Sequence, residues 1–245
     1  MQSFPIPAPA FDGSSRSVPA GNAFEWLKQG WALFVANPGM WIVLTIILIV
    51  LMVGLTIIPL IGALAANLLT PVLAAGLMRA CQRVENDDAL DIGDLLSGFR
   101  HNTNNLIMVG VAFLISMLLI FVIVVALGGG GVASAVVSGS PAGISLALGG
   151  LLLALLLSTV MMIPLTMAFW FAPALVFFNN MSATDALKAS FNACLKNLPA
   201  FLVYGVVVVA LLFFAALPAG LGLLVLLPVL AGSTYASYRD IFVAN

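Results

Sequence analysis

The sequence predicts an all-α integral membrane protein with about six spanning helices, and three observations carry that expectation. Of 245 residues, 63% are hydrophobic and only 7% are charged, whereas about a quarter of an ordinary soluble domain is charged. The apolar residues gather in runs of the length a bilayer needs, about 20 residues each. With those runs laid across a membrane, every charge falls on one side. A soluble fold of this size leaves much of its surface exposed and has no means of covering so many apolar residues. The net charge of −1 lacks the basic footprint of a nucleic-acid-binding protein.

Spans are expected at 40–58, 60–80, 106–127, 151–176, 200–217 and 219–238. The fourth lies inside an uncharged stretch, 144–178. As one straight helix that stretch would reach about 52 Å, so it must tilt, break or run beyond the bilayer. Pro164 and Pro173 favour a bend there. The Gly/Ser/Ala-rich run 128–143 reads as a flexible outer loop, with 128–150 mostly outside the crossing. It lacks the Gly-Lys-Ser/Thr of a phosphate-binding loop. Residues 1–22 lack the basic start and apolar core of a signal peptide and read as an extended tail ahead of one membrane domain, 23–245.

Six spans place both termini, and all Lys, Arg, Asp and Glu, on one side. The opposite connections, near 59, at 128–143 and near 218, carry no charge. The positive-inside rule then makes the charged side cytoplasmic. Cys81 and Cys194 fall on that side and have no metal or redox spacing; they read as reduced structural thiols.

Three segments on the charged side share a frame: Leu, two residues, a small residue, an aromatic, five residues, Asn. It is filled by Leu27, Gly30, Trp31 and Asn37; by Leu95, Gly98, Phe99 and Asn105; and by Leu187, Ser190, Phe191 and Asn197. Apolar positions recur three and four residues apart, as on one helix face. Each segment is too short and polar to span and directly precedes a span. That is the pattern of a helix lying in the headgroup plane, with Trp26, Trp31 and Trp41 suited to the aromatic belt. The Asn would end each helix and turn the chain into the membrane. The second span of each unit carries a proline, Pro71, Pro164 or Pro228, expected to kink it. The chain thus reads as three parallel repeats, about 23–83, 91–178 and 183–242, each an amphipathic interfacial helix plus a helical hairpin. Convergence of amphipathic helices on a common pattern is the alternative.

Reactive chemistry is not visible. A lone His101 beside Arg100 does not make an active site, and no Cys pair or hydrolase motif accompanies it. The acidic run Glu85, Asp87, Asp88, Asp91 and Asp94 lacks calcium-loop spacing; Asp91 and Asp94 suit the start of the second interfacial helix. Apart from Arg79 at the charged end of the second span, no Asp, Glu, His, Lys or Arg falls inside a span, which argues against a proton relay. Asn67 is the most polar intramembrane residue and is expected to bond a neighbouring helix, with substrate binding the alternative. No catalytic residue, cofactor or metal site is expected.

The segments WLKQGWALFVANPGMW, ALKASFNACLKN and TYASYRDIF together resemble a group of uncharacterised six-span bacterial inner-membrane proteins. They resemble more loosely the membrane domain of bacterial glycerophosphodiester phosphodiesterases, whose catalytic motif is absent here. The likeness runs from about Phe24 to Phe242 and implies a multi-pass protein of the bacterial inner membrane, with no activity to carry over. The expected role is that of a non-enzymatic scaffold, assembly factor or accessory subunit of a membrane complex. Its partners would be membrane lipids and other membrane subunits, not nucleic acid. The alternative is a channel or carrier for lipid or a neutral solute.

Overall fold

Helix α1 (Asn22–Ala36) lies beside the ends of the spans and is followed at once by α2 (Pro38–Thr56). Asn37 sits between them: it ends α1, and its side chain accepts from the Met40 amide at 3.4 Å, with Pro38 opening α2. This is an N-cap followed by the proline that a first helical turn accommodates. The computed structural model describes residues 11–59, 61–138 and 141–243, side chains between 128 and 144 excepted. All secondary structure in those residues is helical.

The chain continues through α3 (Ile61–Glu85), a 3-10 helix (Ile92–Phe99), α4 (Thr103–Ser138), α5 (Pro141–Trp170) and α6 (Ala172–Asn179). Helices α7 (Ala183–Lys196), α8 (Leu198–Ala216) and α9 (Leu223–Tyr238) follow, and α9 runs into a π turn, Arg239–Val243. Five stretches of the described residues are long and apolar enough to cross a bilayer. They are Pro38–Thr56, Ile61–Glu85, Thr103–Leu127, Ser145–Asn179 and Leu198–Ala216.

Several expectations need correction. The last span was expected from 219, but α9 begins at Leu223 and has 16 residues. Turns occupy 217–222, with Ala219 and Gly220 at positive φ of 51° and 80°. Position 60, the expected start of the second span, lies outside the described residues, as do 1–10 of the tail. The run 128–143 was read as a loop, yet α4 stays helical to Ser138 and α5 begins at Pro141; positions 139 and 140 lie outside the described residues. Gly and Ser are weak helix formers in water, yet the helices on either side propagate through this run, each added residue closing one more backbone bond.

Pro71, Pro164 and Pro228 all lie inside their helices, and the break in the fourth span comes at Phe171, just before Pro173 in the first turn of α6, as one of its two prolines suggested. There the Ser190 hydroxyl accepts from the Phe171 amide at 2.9 Å and donates to the Met167 carbonyl at 2.7 Å. One side chain thus takes up the donor and the acceptor that the break leaves behind.

Packing is concentrated at the charged ends of the helices. Trp26, Trp41, Leu44, Leu95, Leu106 and Phe171 are almost wholly buried there. Trp26 and Trp41 are therefore core residues and not belt anchors; their indoles donate to Asp240 and to the Leu33 carbonyl, both at 2.8 Å. Trp31 remains outward, 53% exposed. The far halves of α2, α4, α5 and α8 expose large apolar side chains, among them Val53, Phe121, Leu152 and Phe213, as a lipid-facing surface would.

Candidate functional site

The three framed segments take up comparable positions. Each sets its small residue against the backbone of a proline-containing helix. A Cβ on Gly98 would meet Val72, the residue after Pro71 in α3. A Cβ on Gly30 would lie 2.7 Å from the Ser233 amide nitrogen and closer still to the carbonyl of Val229, which follows Pro228 in α9. Ser190, fully buried, bonds the α5–α6 break. The second segment thus sits on the hairpin before it, the third on the second, and the first on the last, which closes a ring.

The other frame positions also divide by role. Leu95 is buried, and Leu27 and Leu187 are partly buried. The aromatics Trp31 and Phe99 face outward, and Phe191 is partly covered. Asn37 and Asn197 sit where α1 and α7 end, as expected. Asn105 does not: the second segment ends at Phe99, and Asn105 lies in the first turn of α4. Its side chain accepts from the amide of Ala183, at the start of the next framed helix, at 3.4 Å. Asn197 does the same for the first segment, accepting from the Val18 amide at 2.7 Å and donating to the Arg16 carbonyl at 3.0 Å.

The second segment is a 3-10 helix, not an α-helix. Asp91 and Asp94 form its capping box, and Asp94 also pairs with Arg83 at 3.1 Å. Two carboxylates of the acidic run are thereby used as helix-start groups, which the sequence suggested.

The proline-containing helices enclose, with α4 and α6, a cavity of about 440 Å³. Its walls include Pro71, Ala74, Phe113, Trp170, Leu230 and Ala231. Charged side chains are absent from the lining. Four polar residues face it, and each donates within its own helix. Asn67 reaches the Ala63 carbonyl at 2.8 Å, Thr70 that of Ala66 at 2.8 Å, Thr166 that of Ile163 at 2.8 Å, and Thr234 that of Leu230 at 2.9 Å. The expectation that Asn67 bonds a neighbouring helix is corrected: the carbonyl one turn back along α3 is nearer to hand.

Three rings pack together where α6 and α9 end. Phe178 stacks on Tyr238 with centroids 5.5 Å apart and meets Tyr235 at 6.0 Å. Tyr238 donates to Asn179 and Tyr235 to Glu85, both at 2.6 Å. Glu85 also pairs with Arg239, so α9 is tied to both α3 and α6. Beyond lie two smaller recesses, of about 290 and 270 Å³, that share Tyr235 and Arg239.

The stretch ahead of α1 meets the π turn after α9. Asp240 pairs with Arg16 and accepts from Asn22 and Trp26 at 2.8 Å. Burial pushes its carboxyl upward, but these three donors and the Arg16 charge outweigh that and hold it below its ordinary value of 3.8. The stabilisation is therefore complete above the ordinary value and is lost as pH falls through the lowered one. We expect acidification below about pH 4 to loosen residues 11–21, read as faster proteolysis there. Asp240→Asn should show the loosened state at neutral pH.

His101 is exposed and edge-on to Phe177 at 5.4 Å. Among the described residues no cluster of His, Cys, Asp or Glu is arranged to hold a metal. Cys194 is buried, and burial pushes its thiol up to about 12. The sequence marked Asn67 and Pro71 individually, but not the cavity they share. Trp170, Phe113 and Thr234 carried no separate signal, since their meeting depends on the order of the helices.

A Burkholderia thailandensis protein named "Probable inner membrane protein" is 32% identical over 227 residues, covering 89% of this chain and 82% of the relative. No family model and no solved structure matches the chain.

Proposed function

The chain belongs to the family of that Burkholderia inner-membrane protein, and on this premise we propose a six-crossing protein, N-in and C-in, that acts without catalysis as a scaffold or accessory subunit of a membrane complex. Its multi-pass character and inner-membrane location rest on the relative and the five apolar helices. A sixth crossing by α9 is supported by its end contacts. Arg239 meets Glu85 at the end of α3, and Asp240 meets Arg16 ahead of α1. Sixteen residues reach about 24 Å, short of a core of about 30 Å, and the uncharged turn at 217–222 makes up the remainder. The closed ring of contacts supports reading the chain as three related units. Reporter fusions at the C-terminus and within 217–222 test the topology; the same signal from both positions would reject the sixth crossing.

The observation that favours an accessory role is the uneven packing. The charged end is a stitched platform, while the far halves of the spans present large apolar side chains with little internal contact. Helices in lipid associate through shape and packing, so these surfaces suit neighbouring membrane helices. A photo-crosslinking residue at Phe121 or Phe213 should trap membrane proteins in intact cells. Recovery of uncrosslinked monomer alone from both sites would reject the proposal.

The cavity favours a second reading, a carrier for lipid or a neutral solute. Reconstituted vesicles that show neither lipid flip nor solute passage would exclude it.

A further inference from the structure

We propose that the cavity among α3, α4, α5, α6 and α9 is a binding site for one hydrocarbon chain of a bilayer lipid. Its size, about 440 Å³, falls within the range of small-molecule sites, about 300–1,000 Å³. The lining is uncharged, and its hydroxyl and amide donors are engaged by carbonyls of their own helices. A polar solute would lose its hydration and gain few new bonds, a cost of a few kcal/mol per unpaired group. A hydrocarbon chain loses nothing of the kind and gains close contacts.

Access points to the same occupant. At the charged end the Phe178, Tyr235 and Tyr238 rings pack together outside the cavity lining, with the two tyrosine hydroxyls tied to Glu85 and Asn179. The lining residues that stay exposed are Thr70, Thr166, Trp170 and Leu227, all within the apolar helices α3, α5 and α9. What enters therefore comes from the lipid phase. Small residues at Ala74 and Ala231 leave the space open. The proposal shares the cavity with the carrier reading but asks less: a chain that binds without crossing leaves this inference standing and removes that reading.

Trp170 in the cavity wall provides the probe. The protein is reconstituted in vesicles of dioleoylphosphatidylcholine, or of the same lipid with its chains brominated. The signal is the emission of the wild type minus that of Trp170→Phe. Brominated chains should quench this difference by more than half, and acrylamide should quench it weakly. Ala231→Phe, which fills the cavity, should restore most of the emission. Ala74→Phe should repeat the result from the α3 wall, each variant being scored once its buried thiols prove as protected as in the wild type. Quenching by acrylamide in place of bromine would mean an aqueous cavity and overturn the proposal. Bromine quenching unchanged in both filled variants would place the lipid chain outside and overturn it equally.

Discussion

Gly30→Ala and Gly98→Ala will each destabilise the protein by about 3 kcal/mol, the upper end of what overpacking by small groups costs. The reason is what the new methyl meets. At Gly98 it meets the backbone of Val72, and at Gly30 that of Val229 and Ser233. Side chains can rotate away, but a helix backbone must move as a body. Gly232, facing Gly30 across the same contact, makes the approach closer still. Gly205 supplies the contrast, because a Cβ there meets nothing within 4 Å. The same change at Gly205, inside α8, should stabilise by up to about 1 kcal/mol through helix propensity. The readout is thermal exposure of Cys81 and Cys194, both buried in the native protein, to a thiol-reactive dye in mild detergent. Opposite signs for one chemical change would mark the two glycines as the points where the framed segments lock onto the proline-containing helices.

Much of this arrangement was legible in the sequence, for identifiable reasons. Span positions follow from uninterrupted apolar runs, which no other structure accommodates in a bilayer. The shared frame was visible because packing a helix onto a neighbouring backbone demands a small residue at a fixed offset. Gly30, Gly98 and Ser190 meet that demand by two means: absence of a side chain in the first two, hydrogen bonding in the third. The sequence could not say which helix each would meet, since the ring joins the first segment to the last hairpin. Trp26 and Trp41 were misplaced because a tryptophan with an apolar body and one donor fits a membrane interface and a hydrogen-bonded core equally well. The start of α9 was misplaced because Pro218, Ala219 and Gly220 are apolar by composition, so a turn there looks like span. The cavity was beyond reach because it is defined by what five helices fail to fill.

The frame asparagines should differ in cost although they share a position in the pattern. Asn197 is 1% exposed. Its side chain accepts from Val18 and donates to the carbonyls of Arg16 and Ala193. Asn197→Ala therefore strands a partly buried amide and carbonyl of the N-terminal segment, at about 1–3 kcal/mol for each group left unpaired. Part of that cost is recovered if residues 11–21 detach and their backbone meets water, so the net loss should be about 2–3 kcal/mol, with heightened proteolysis at 11–21. Asn37 is exposed and makes one long bond, to the Met40 amide at 3.4 Å. Asn37→Ala should cost only what a helix cap costs, about 1 kcal/mol, and leave proteolysis at 11–21 unchanged. Lys196, which donates to the Ser15 carbonyl beside Asn197, gives an internal check. Lys196→Met should loosen the same segment less than Asn197→Ala does, because the Ser15 carbonyl is exposed and water replaces the lost donor. Equal effects at Asn37 and Asn197 would mean that both act only as helix ends. A loss confined to Asn197 would show that this position also fastens the first framed segment to the last.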